Sequence, residues 1–183
     1  PTHDDGIFAF YERIDRELGI DVIGYNIPQA TNITLTPKLY HRLLSLKNFK
    51  YIKESSGNLT RQQALIQTGG RVLNGADCNT VFSLLAGCQG VIWGGANIFP
   101  VAAAQLYRLT STGAYDEALQ LWKFMFPVLN YCWENDYIPA VKAAARIMGY
   151  EGGSVRAPVC PLDQDAEHVV AGLLAPFRER FCA

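Results

Sequence analysis

The sequence has few of the features that mark metal sites, secreted proteins or membrane spans. Its five cysteines form no C-x-x-C pair, and none has a histidine nearby at metal-ligand spacing, so we expect no bound metal. Cysteines that are odd in number and dispersed are typical of reduced thiols, and they indicate a cytoplasmic protein. No apolar run is long enough to cross a bilayer, and we expect neither a membrane span nor a signal peptide.

An excess of charge of one sign is also missing. The formal net charge is −1, and the lysines and arginines are scattered along the chain. Neither nucleic acid nor an anionic membrane surface is therefore expected as a partner. The chain is 49% hydrophobic and 18% charged, which is ample for a packed core. A small metabolite is the partner that this composition favours.

Strand and helix patterns alternate over the first hundred residues. A helical stripe beginning near Ile7 ends at Gly19, and four apolar runs then each precede a helical pattern. Such alternation is typical of parallel strands joined by right-handed crossovers, with the helices on one outer side. The strands are expected to be adjacent and in sequence order. They are predicted at Val22–Asn26, Tyr51–Glu54, Val72–Gly75 and Val91–Gly94.

After Gly113 the alternation stops and no further strand is predicted. We therefore expect residues 1–112 to form an α/β domain and residues 113–183 to form a C-terminal helical region. Helical periodicity marks three segments there: Tyr115–Trp133, Tyr137–Met148 and Asp165–Phe181.

The number of strands limits the fold. A complete (β/α)8 barrel needs about 250 residues, whereas this chain has 183. The chain opens at Pro1 without a methionine and its first helix has no strand before it, so we expect an N-terminal part to be missing or removed. Four βα units followed by helices fit the second half of a (β/α)8 barrel, strands 5 to 8. An open doubly wound sheet is the alternative.

Lys53 ends an apolar strand, where parallel α/β folds gather their catalytic groups. Inside a barrel the ammonium loses water, its pKa falls, and the neutral amine becomes a nucleophile for carbonyl carbon. A structural ion pair with Glu54 is the alternative, but adjacent strand residues point to opposite faces. The other lysines are expected on helices or in loops: Lys38, Lys47, Lys50, Lys123 and Lys142.

Tyr25 ends the preceding strand, where a phenol can relay protons or simply pack at the rim of the sheet. Tyr25–Pro28 reads Y-N-I-P, and Lys53–Gly57, 28 residues later, reads K-E-S-S-G. These segments resemble the Y-N-x-P and K-x-x-x-G motifs of the dihydrodipicolinate synthase / N-acetylneuraminate lyase family. Asn74–Asp77, Gly90–Asn97 and the helical tail are similar to later segments of that family.

The resemblance implies a class I aldolase or lyase. Lys53 would form a Schiff base with pyruvate or a larger 2-oxo acid, and Tyr25 would relay protons. The backbone at Gly75 and Ile92 would surround the bound keto acid. Because the imine is itself the electron sink, the resemblance implies no diffusible cofactor. It also implies a homo-oligomer, either a dimer or a tetramer.

Two departures from the family pattern bear on the substrate. Ala30 stands where the synthases of the family carry an arginine that clamps a second carboxylate. Cys78 stands where the sialate lyases carry an acidic residue. We therefore expect aldol cleavage, condensation or dehydration of a 2-oxo-3-deoxy sugar acid or a 4-hydroxy-2-oxo acid. The alternatives are dihydrodipicolinate synthase proper, a non-catalytic binding relative, and an inactive half-barrel fragment.

Overall fold

The computed structural model describes residues 3–182, and its sheet has four parallel strands. The strands form at the apolar runs of the sequence, and each strand lies beside the one that precedes it in the chain. The predicted order and direction of the strands are therefore confirmed, as is the α/β class. The strands are β1 (Val22–Asn26), β2 (Phe49–Glu54), β3 (Arg71–Asn74) and β4 (Gly90–Val91).

Helix boundaries follow local capping signals. The first helix ends at Gly19, whose left-handed backbone (φ 63°) suits glycine. The Thr36 hydroxyl accepts a hydrogen bond from the amide of Leu39 at 3.1 Å, with Pro37 at the first helical position. Within residues 3–182 the α-helices are α1 (Asp4–Leu18), α2 (Pro28–Thr31), α3 (Pro37–Leu43), α4 (Leu59–Ile66), α5 (Thr80–Leu85), α6 (Gly95–Ile98), α7 (Pro100–Ser111), α8 (Tyr115–Glu134), α9 (Tyr137–Ile147) and α10 (Gln164–Phe181).

Strand β4 is shorter than the predicted Val91–Gly94. Backbone pairing continues to Ile92, whose amide donates to the Asn74 carbonyl at 2.8 Å. Gly94 then adopts helical dihedral angles as the N-cap of α6, and its amide donates to the Tyr137 hydroxyl at 3.0 Å. A second correction concerns Lys50, which was expected outside the strands and is the second residue of β2.

Alternation along the strands separates two faces of the sheet. One face is packed by α1, α3 and α4 around the buried side chains of Ile52 and Val72. We call this the helix-side face. On the opposite, open face, Ile23, Tyr25 and Ile92 are 47%, 47% and 43% exposed.

Packing divides the chain into two compact units, one ending at Ile92 and the other beginning at Trp93. The described residues of the second unit form helices and no strand, with a non-helical connector between α9 and α10, and Met125, Leu129, Ala144 and Leu174 lie in its core. This division falls before the expected boundary at residue 112, because α6 packs against α9 and α7 packs against α8. Within residues 3–182 no helix combines the length and the apolar character that a bilayer crossing requires.

Candidate active site

Lys53 and Tyr25 meet on the open face of the sheet. They are register partners on the neighbouring parallel strands β2 and β1, one residue before each strand ends. The Lys53 Nζ atom lies 4.2 Å from the centroid of the Tyr25 ring. Lys53 is half-buried and Tyr25 is exposed. The two side chains thus meet at the carboxyl edge of the sheet, although their catalytic roles stay predictions.

Gly75 follows β3 and adjoins the stem of the lysine. A Cβ atom at this position would collide with the Ser55 hydroxyl and would lie 2.7 Å from Lys53 Cε. Glycine is therefore what allows the lysine side chain to lie across the end of β3. Ile92 lies at the same edge but on the far side of β3 from Lys53. The structure thus brings Gly75 to Lys53, whereas Ile92 lies two strands away from it.

A polar row lies behind this site, on the helix-side face. Asn26, Glu54 and Asn74 are the last residues of β1, β2 and β3, they are register partners, and all are buried. Asn26 Nδ2 donates to Glu54 Oε2 at 2.5 Å, which joins the first two strands. Gln62 Nε2 donates to Asn74 Oδ1 at 3.2 Å. Sequence reasoning missed this row, although polar residues ending three apolar strands were a usable signal.

Glu54 is not paired with Lys53, although the two residues are adjacent in sequence. Its carboxylate points to the helix-side face, where Glu54 Oε1 accepts a hydrogen bond from the Ser56 amide at 2.8 Å. Lys53 and Glu54 therefore face opposite sides of the sheet, as expected for neighbouring residues of a strand. The Lys53 amine is left on the open face beside Tyr25, free of an ion pair among residues 3–182.

Ser55 is a second residue that sequence reasoning missed. Its hydroxyl is buried and has no hydrogen-bond partner among the described residues. Its carbonyl accepts a hydrogen bond from Gln29 Nε2 at 2.7 Å, which ties α2 to the turn after β2. A buried hydroxyl without a hydrogen bond is costly in free energy. A polar group that hydrogen-bonds to the Ser55 hydroxyl beside the lysine stem would therefore stabilise this site.

The two departures from the family pattern lie near this edge of the sheet. Ala30 is exposed on the short helix α2, two residues after the proline that ends the Y-N-I-P segment. Cys78 is half-buried in the 3₁₀ turn Asp77–Asn79 that follows β3. No group of three or more histidine, cysteine or acidic side chains suited to a metal ion occurs in residues 3–182.

Comparison with known sequences gives a consistent set of relatives. The model of the family described as "Dihydrodipicolinate synthetase family" matches residues 1–176. The 4-hydroxy-tetrahydrodipicolinate synthase of Clostridium novyi is 31% identical over 182 residues, which are 97% of this chain and 61% of that protein. The enzyme of the same name from Archaeoglobus fulgidus is 30% identical over 173 residues, which are 93% of this chain and 60% of that protein.

Solved structures agree with the sequence comparison. The 4-hydroxy-tetrahydrodipicolinate synthase from Methylacidiphilum fumariolicum SolV superposes with a TM-score of 0.90 at 26% identity. The match covers 98% of this chain and 61% of that one. This chain therefore spans about three fifths of the length of the relatives that it matches.

Proposed function

This chain belongs to the dihydrodipicolinate synthetase family, and on that premise we propose that Lys53 forms a Schiff base with the ketone of a 2-oxo acid. The observation that carries the proposal is the approach of the Lys53 amine to within 4.2 Å of the Tyr25 ring centroid. Both groups lie at the carboxyl edge of a parallel sheet, where α/β enzymes bind their substrates.

The proposed chemistry needs one amine and one proton relay. The neutral Lys53 amine adds to the carbonyl carbon of the 2-oxo acid, and the carbonyl oxygen takes up a proton to give a carbinolamine. Loss of that hydroxyl as water leaves a protonated imine. In the addition step Tyr25 gives a proton to the oxygen and recovers one from the nitrogen. In the dehydration step it gives a second proton to the departing hydroxyl, which leaves the protonated imine beside a tyrosinate, and hydrolysis of the imine later returns that proton.

The imine then supplies the electron sink. A carbon–carbon or carbon–oxygen bond next to it breaks or forms while the electron pair is held on nitrogen. The proposed lyase reaction therefore needs no metal and no diffusible cofactor. Its product leaves when water attacks the imine carbon and frees the Lys53 amine.

We propose that the four strands correspond to strands 5 to 8 of a (β/α)8 barrel. Two observations support this proposal: the chain spans about three fifths of its relatives, and the open face carries exposed apolar side chains such as Ile23. Substrate turnover is accordingly proposed for a protein that also contains the other strands. We further propose that this protein is cytoplasmic and forms a homo-oligomer.

The proposed substrate is a 2-oxo-3-deoxy sugar acid or a 4-hydroxy-2-oxo acid. The supporting feature is Ala30 on α2, since a methyl group offers no bidentate clamp for the carboxylate of a second substrate. The alternative is the synthase reaction for which the Clostridium and Archaeoglobus relatives are named, and their 31% and 30% identity favours it. Assays of aldol cleavage and of dihydrodipicolinate formation, run in parallel on the full-length protein, separate the two.

Borohydride trapping tests the central step. Full-length protein treated with pyruvate and borohydride is expected to gain a stable mass on the peptide that contains Lys53. Lys53→Ala should abolish both labelling and turnover. Lys50→Ala is the matched control, because Lys50 is a lysine on the same strand whose amine donates to the Lys47 carbonyl at 2.7 Å. Labelling that persists in Lys53→Ala would place the nucleophile elsewhere. A folded wild-type protein that takes no label would instead be a non-catalytic relative.

A further inference from the structure

Two buried polar side chains lie directly behind the proposed catalytic pair. Asn26 follows Tyr25 and Glu54 follows Lys53, and Asn26 and Glu54 are themselves register partners on β1 and β2. They are 1% and 2% exposed. Among residues 3–182 no cationic side chain lies within ion-pair distance of the Glu54 carboxylate. A carboxylate buried without a cation is costly, so its hydrogen bonds must be what keeps it there.

Two backbone amides, which can only donate, fix the direction of the hydrogen bonds around Asn26 and Glu54. The Leu35 amide donates to Asn26 Oδ1 at 2.9 Å, which leaves Asn26 Nδ2 facing Glu54. The Ser56 amide donates to the other carboxylate oxygen at 2.8 Å. Position 54 is therefore approached by two donors and must present two acceptors. A carboxylate does so at this side-chain length, whereas the amide of glutamine presents one acceptor and one donor.

We propose that Glu54, acting through Asn26, is the positioning residue that holds Lys53 opposite Tyr25. The inference rests on the proposed function of those two residues. The link joins the ends of β1 and β2 one residue beyond the pair, and it secures the turns that follow both strands, through Leu35 and Ser56. A positional error of about 1 Å in a catalytic group costs on the order of 10²-fold in rate.

An exchange of the two functional groups tests this proposal. In Glu54→Gln a donor faces either Asn26 Nδ2 or the Ser56 amide, whichever way the new amide turns. In Asn26→Asp two carboxylates face each other. Each single variant is expected to form the imine with pyruvate on the order of 10²-fold more slowly, as measured by borohydride quenching.

The double variant Asn26→Asp/Glu54→Gln restores every hydrogen bond. The new aspartate accepts from the Leu35 amide and from the glutamine amide, and the glutamine oxygen accepts from the Ser56 amide. Imine formation is expected to return to within roughly tenfold of the wild-type rate, a coupling that only interacting residues show. Recovery by exchange is the result that a general loss of packing does not produce.

Tyr40→Phe is the control for a purely structural effect. Its hydroxyl donates to the Arg71 carbonyl at 2.9 Å in the same buried core, away from the Asn26–Glu54 link. This variant is expected to lose stability and to keep its rate of imine formation per folded molecule. A wild-type rate in Glu54→Gln, or a double variant as slow as the single variants, would overturn the positioning role.

A readout that needs no turnover separates this proposal from the proposed function. In a nuclear Overhauser experiment, the contact between the Lys53 ε-protons and the Tyr25 ring should weaken in both single variants and return in the double variant. If the wild-type protein takes no borohydride label, the Schiff-base function fails, and this contact still decides the positioning role. A contact of equal strength in all four proteins would refute the positioning role.

Discussion

The two faces of the sheet are built from the same strands and differ in almost every property. On the helix-side face, Ile52 and Val72 are sealed beneath helices, and polar side chains occur in the row that ends the strands. On the open face, Ile23 and Tyr25 are about half exposed, and Lys53 lies against an aromatic ring. Because side chains alternate between the two faces along a strand, neighbouring residues lie in different environments. Residues that set the fold and residues proposed for chemistry therefore alternate along the chain.

The contrast also shows where the helix-side face departs from a simple core. Its strand interiors are apolar, whereas its last row consists of Asn26, Glu54 and Asn74. Asn74 Nδ2 donates to the Ala76 carbonyl at 2.9 Å and to the Thr80 hydroxyl at 3.2 Å. The polar row thus coincides with the edge that carries the proposed site, and it holds the turns that leave this edge.

On the open face, replacing Tyr25 is expected to change the rate of imine formation strongly. Tyr25→Phe keeps the ring beside Lys53 and removes only the proton donor, so binding should survive. Imine formation should slow by about 10²–10⁴-fold, the usual worth of a positioned acid or base. Rapid-quench trapping with pyruvate and borohydride measures the rate. Tyr51→Phe is the control, since Tyr51 lies on the same face and its hydroxyl accepts from Arg71 Nη1 at 3.1 Å. Equal rates in the two variants would remove Tyr25 from the mechanism.

On the helix-side face the expected effect is on stability. Ile52 is fully buried in β2, so Ile52→Ala should lower the free energy of unfolding by about 2–5 kcal/mol through lost burial and a residual cavity. Urea denaturation followed by circular dichroism measures the change. A cost below about 0.5 kcal/mol, the range of surface substitutions, would show that this face is not the core.

A smaller effect should appear at high pH, because titratable groups are buried on the helix side. Burial, with a lesser contribution from the charge of Glu54, raises the pKa of the Cys88 thiol from 9.0 to about 12. Burial also raises the pKa of Tyr11 and of Tyr40. Above pH 9 the unfolded chain therefore loses thiol protons that the folded chain keeps, and the free energy of unfolding falls as pH rises towards 12.

The Cys88 contribution can be isolated by substitution. Cys88→Ala should make the decline above pH 9 shallower by no more than about 1.4 kcal/mol per pH unit, the limit for one group. Denaturation curves at a series of pH values give the slope. An unchanged slope would mean that the thiol titrates alike in the folded and unfolded chain.

Substitution of an exposed apolar residue on the open face should change the free energy of unfolding least. In this chain by itself, Ile23→Ala removes a side chain that is half exposed, so the free energy of unfolding should change by no more than about 0.5 kcal/mol. A loss close to that of Ile52→Ala in the same chain would contradict this expectation, whereas a larger loss in the full-length protein is what the barrel proposal expects.

Much of the fold was predictable because its signals are local. Apolar runs located the strands, and Gly19 and Thr36 marked helix ends through their own backbone and side-chain chemistry. The early end of β4 was not predictable, since the Gly94 amide donates to the hydroxyl of Tyr137, a residue far along the chain. The four-residue helices α2 and α6 are too short to show a period in the sequence.

Part of the candidate site was also predictable from the sequence. Lys53 and Tyr25 stand in motifs, and the parallel order of the strands brings their side chains to one edge. The bond between Asn26 and Glu54 depends on the register of two strands and on the orientation of one amide. Neither the strand register nor the amide orientation follows from the spacing of residues in the sequence, so this hydrogen bond was visible only in the three-dimensional structure.

The order β1-β2-β3-β4 has a consequence for how the protein is made. Each strand pairs with the one synthesised just before it, so each pairing requires only chain that has already been made, although parallel pairing across a crossover forms more slowly than local helical contacts. On the ribosome the sheet can grow strand by strand from the N-terminal side. The strand register that sets Lys53 beside Tyr25 therefore needs the chain only as far as β2, and α10 is translated long after it.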